Sequence, residues 1–107
     1  MISIKDNCLH LNHLKITGPK DQLLKLLKHI LALIENEVVN DKDTLLMYVG
    51  DVVNQMFVYY SLVETESCVY VQVSCALGTV HLESNAYLND MLRIHINQLS
   101  KEIKDVH

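Results

Sequence analysis

One proline and three glycines in 107 residues leave little material for long linkers. Basic residues are scarce too: nine Lys and Arg stand against thirteen Asp and Glu, a net charge of −4. A surface of that sign gains nothing from releasing phosphate counterions, which argues against nucleic acid or an anionic membrane as partner. Three cysteines, Cys8, Cys68 and Cys75, make an odd count with no C-x-x-C spacing. Seven residues apart on one strand, Cys68 and Cys75 would point to opposite faces, so free thiols in a reducing cytosol are expected. The N-terminal MISIKDNC carries polar residues where a signal peptide has its apolar core, and no apolar run is long enough to span a bilayer. Nucleophile-elbow, P-loop, dinucleotide-binding and H-E-x-x-H motifs are all missing. A cytoplasmic protein that is not an enzyme and needs no cofactor is expected.

What is present is core material. Half of the chain is hydrophobic and 21 % is charged, enough for one domain spanning residues 1–107. Residues 68–77, CVYVQVSCAL, alternate Val69, Val71, Val73, Cys75 and Leu77 against Tyr70, Gln72, Ser74 and Ala76. A period of two belongs to a strand with one buried face. The MFVYYSLV run, residues 56–63, is apolar throughout and reads as a strand covered on both faces or lying at an interface. The short Glu64–Ser67 link joins these two strands into an antiparallel hairpin.

Residues 8–16 read as another strand, with a bulge near Asn12 and His13 where the apolar register shifts from Leu9 and Leu11 to Leu14 and Ile16. Gly18-Pro19 stops it, and Pro19 suits the first helical position. The segment 44–54 reads as a strand ending at Gly50-Asp51, or else as a helix capped by Asp43 or Thr44. Two amphipathic helices are expected at about 19–39 and 85–104. The fold class is therefore α+β: an antiparallel sheet of three or four strands covered by two helices. On the first helix the apolar stripe is broader than one sheet face needs, which points to packing on the partner helix or on a second chain as well. Its extra edge, Leu26 and Leu33, is the expected dimer interface.

Chemistry is harder to find. Cys8 and His10 share a strand face, but His13, His81 and His95 have no spacing that would complete a zinc site, and no metal is expected. His95 lies on the apolar side of the last helix and reads as a hydrogen-bonded core or helix-edge side chain; His81 reads as loop. Tyrosines gather in and beside the strands, and tyrosine joins apolar area to a polar tip. Val58, Tyr59, Tyr60 and Tyr70 are therefore the expected contact residues.

The C-terminal half, from VVNQMFVYYSLV through CVYVQVSCALGTVHLESNAYLNDMLRIHINQL, resembles the end of the small acidic type III secretion chaperones. Those proteins close with two antiparallel strands and an amphipathic helix, and that likeness implies a non-catalytic dimer holding a protein segment against exposed sheet surface. LKITGPKDQLLKLL and the helix from Leu88 to Ile103 are similar to the START-like helix-grip fold, which implies a cavity for a small apolar ligand. A protein-binding module whose partner is another protein or protein segment, itself a homodimer, is the leading expectation; a small apolar-ligand binder is the alternative.

Overall fold

The computed structural model describes residues 2–37, 42–48 and 55–105. Two antiparallel meanders, each followed by a helix, make up the fold. Strands β1 (Ile2–Lys5), β2 (Cys8–Leu11) and β3 (Leu14–Thr17) form a three-stranded sheet, and α1 (Lys20–Glu35) follows. Strands β4 (Lys42–Tyr48), β5 (Gln55–Glu64), β6 (Val69–Cys75) and β7 (Gly78–Glu83) form a four-stranded sheet, closed by α2 (Ala86–Asp105).

The α+β class and both helices match the expectation, but the strands divide into two sheets rather than one. Three local features account for this. Asp6 and Asn7 both hold positive φ, 53° and 61°. That pair is what a type I′ hairpin turn requires, and it adds β1 to β2. The register shift at Asn12-His13 is not a bulge but a turn. Leu11 pairs with Leu14 across it, and Asn12 takes a φ of 54°. Likewise the run at 68–77 ends early: Cys75 pairs with Gly78, Ala76 and Leu77 make the turn, and His81 lies in β7 rather than in a loop. Gly78 adopts a φ of 144°, a conformation that L side chains rarely take, so the position needs glycine for its backbone and not for space.

Segment 42–48 is a strand, as the first of the two readings expected. Its expected end at Gly50-Asp51, and Val38 and Val39 of the first helix, lie outside the described residues.

One hydrophobic core joins β1–β3, β5–β7 and both helices. The sheets contribute Leu9, Leu11, Ile16, Val58, Tyr60, Val71 and Val73; the helices contribute Leu23, Leu26, Leu27, Ile30, Leu92 and Leu99. No polar or charged residue among those described is buried. The broad stripe on α1 is used inside the chain, against β5 on one side and α2 on the other. The helices run antiparallel: Lys20 pairs with Glu102 at 3.4 Å, and Arg93 with Glu35 at 2.7 Å. Both bridges are exposed, so they fix orientation more than they stabilise. His95 of α2 donates its Nε2–H to the Ile2 carbonyl at 3.1 Å, tying the helix to β1. The sheets meet where the β2–β3 turn touches the edge of β7. There His13 donates to the Thr79 carbonyl at 3.1 Å and Asn12 to the His81 carbonyl at 3.5 Å.

Candidate binding face of the four-stranded sheet

Strand parity divides β5 between two environments. Met56, Val58, Tyr60 and Leu62 point to the helices and are buried, while Phe57 and Tyr59 point away and are exposed. Cross-strand register extends the outer side into rows. Leu46 opposes Phe57; Thr44, Tyr59, Ser74 and Thr79 form the next row; Lys42, Ser61, Gln72 and His81 follow, then Val63, Tyr70 and Glu83. Apolar exposure is concentrated at one end of this face, with Phe57 54 %, Leu46 43 % and Tyr59 37 % accessible. The Phe57 and Tyr59 rings lie along the same strand face with centroids 6.4 Å apart. At the other end Tyr70 is half-buried and lies against His81, centroids 4.5 Å apart and planes tilted by 32°.

The apolar end also lies where the sheet is narrowest. The last β5–β6 pair is Tyr59 with Ser74, so Gln55 to Val58 pair with β4 alone. Leu46 and Phe57 therefore stand on a two-stranded extension beyond β6. Of the four residues expected at the contact surface, Tyr59 and Tyr70 lie on this face. Val58 and Tyr60 do not: at 0 % and 1 % exposure they belong to the core under α1. A continuous apolar run hides its own parity, because both faces read as hydrophobic. Ser61 was the usable signal, since the one polar residue in MFVYYSLV shares a face with Phe57 and Tyr59. The expected dimer edge fails for a related reason: Leu26 and Leu33, 0 % and 7 % exposed, are enclosed by the sheet and α2.

Elsewhere, a polar groove of about 530 Å³ lies between the β1–β2 turn and the facing ends of the helices. Lys5, Asp6, Lys20 and Glu102 line it with balanced charge, and Lys20 and Glu102 pair with each other. A smaller hollow of about 100 Å³ lies among Ile2, Leu82, Leu88 and Met91. That is well below the ~300 Å³ at which small-molecule pockets begin. Among the described residues no three His, Cys, Asp or Glu side chains converge on a metal-sized site. No described helix is long and apolar enough to cross a membrane. No protein-family model matches the chain, and comparison with curated proteins and with solved structures returns no match.

Proposed function

We infer that this chain is a non-catalytic protein-binding module, of the small chaperone or adaptor kind, that engages its partner through the open face of the four-stranded sheet. The observation that carries the reading is the Leu46–Phe57–Tyr59 patch. Three large apolar side chains lie together on a flank that neither helix covers. Contiguous exposed apolar surface marks interaction sites, whereas scattered apolar residues do not. Aromatic side chains at the centre of such a patch, with hydroxyls and amides around them, match the anatomy of protein interfaces. Three unpaired thiols, Cys8, Cys68 and Cys75, fit a reducing compartment and hence a cytoplasmic site of action.

The reading is tested with a photo-crosslinking phenylalanine analogue placed at position 57 and, as control, at Ile94, an exposed apolar residue of α2. Irradiation of intact cells should give discrete protein adducts from position 57 and none from position 94. No adduct at position 57, or the same adducts from both positions, rejects the reading.

A further inference from the structure

We propose that the occupant of the open face is a second copy of this chain, seated face to face about a two-fold axis near Tyr59. The proposal rests on the protein-binding reading above and gives the partner its identity.

A two-fold contact presents the same surface from both sides, so it has to be complementary to itself. Charged patches fail that condition. Hydroxyls and amides meet it, because each can both donate and accept, and aromatic rings pack well on their own kind. The polar side chains of the face meet it as well: Thr44, Ser61, Gln72, Ser74 and Thr79 are all hydroxyls or a carboxamide. The Lys, His and Glu positions of the face, Lys42, His81 and Glu83, all lie on the outer strands β4 and β7, so the two middle strands bring no charged residue to it. A chain of net charge −4 repels its own copies over most of its surface. The middle of the open face is where two copies can meet without opposing like charges.

The geometry agrees. An isolated two-stranded ribbon is marginal in water, and the Leu46–Phe57 extension lacks β6 beside it. Face-to-face packing of two sheets about 10 Å apart would lay the partner's patch across it. Strand spacing and rise give each face a footprint of about 440 Å², so a pair covers about 900 Å². That area lies below the range of stable interfaces and in that of weak, transient ones, so association is expected only at high protein concentration.

Sedimentation velocity from micromolar to near-millimolar protein is the test. Wild type should pass from monomer to dimer as concentration rises. Phe57→Lys and Phe57→Glu should each weaken association at least about tenfold, since like charges then face each other across the axis. Mixing those two variants should restore dimerisation, because unlike charges meet in the mixed pair. Ile94→Lys should behave as wild type. A wild type that stays monomeric throughout overturns the proposal, as does a Phe57→Lys variant that dimerises normally or a mixture that stays monomeric. The two readings can fail separately. Photo-adducts to a different protein, with a monomeric wild type, remove the second copy and leave protein binding standing. A monomer without adducts removes both.

Discussion

His29 of α1 and Tyr60 of β5 meet across the helix–sheet interface, imidazole Nδ1 to phenol hydroxyl, with their rings edge to face at 5.7 Å. The contact places a polar pair between the apolar side of α1 and the inner face of the four-stranded sheet. Tyr60→Phe keeps the ring and removes the hydroxyl, leaving a half-buried imidazole without that partner. The expected loss is about 1 kcal/mol in urea unfolding, the net worth of an ordinary buried hydrogen bond. An unchanged midpoint would show that the pair contributes no stability.

Adjacent residues of β5 should respond in opposite ways to the same substitution. Val58→Lys places an unpaired charge in the core, which is expected to cost about 4 kcal/mol or more and to unfold much of the population. Phe57→Lys, on the open side, should change stability by no more than about 0.5 kcal/mol in dilute solution. Thermal melts followed by circular dichroism separate the two. Equal damage from both would mean that the strand parity is wrong.

Helix α1 ends with a residue that the backbone does not favour. Asn36 donates its N–H to the Ala32 carbonyl, and Glu37 then takes a left-handed φ of 51°. Glycine is the usual occupant of that position because it has no Cβ to clash. Glu37→Gly should therefore raise stability by about 0.5–1 kcal/mol, after the entropy cost of glycine in the unfolded chain is taken into account. Destabilisation in chemical denaturation would rule out the left-handed end.

The start of α2 depends on one side chain. Asn85 Oδ1 accepts the Leu88 N–H at 2.8 Å, capping the first turn. Asn85→Ala is expected to cost about 1 kcal/mol, whereas Asn85→Asp should cost little, since aspartate caps equally well. Loss of helical signal in both variants to the same degree would argue against capping as the cause.

Where local pattern and packing agree, the sequence was readable. Val71 and Val73 reach the core as their alternation implies, and both helices begin within a residue of the expected places. The misses share a cause. β1 is four residues long, and only its pairing with β2 makes it a strand. At Asn12-His13 a one-residue shift of apolar register is common to a bulge and to a two-residue turn, and the choice depends on which strands pair at a distance. Gly78 reads as a terminator because its φ is unusual, yet it opens β7. Of the candidate face, Tyr59 and Tyr70 were legible as aromatic residues on strands. Leu46 was not, because its role comes from standing opposite Phe57, a relation that the chain order does not contain.

The two side chains that reach from the β2–β3 turn to β7 also govern how this protein can go wrong. An arriving strand would have to displace both His13 and Asn12 to hydrogen-bond along that edge. Among the described strands, the other edge of the four-stranded sheet is β4. A sheet blocked at one edge can grow from the other alone, and a second copy added there would bring its own blocked edge outward. Edge-to-edge growth of this sheet is therefore expected to stop at a pair of chains rather than propagate into a fibre.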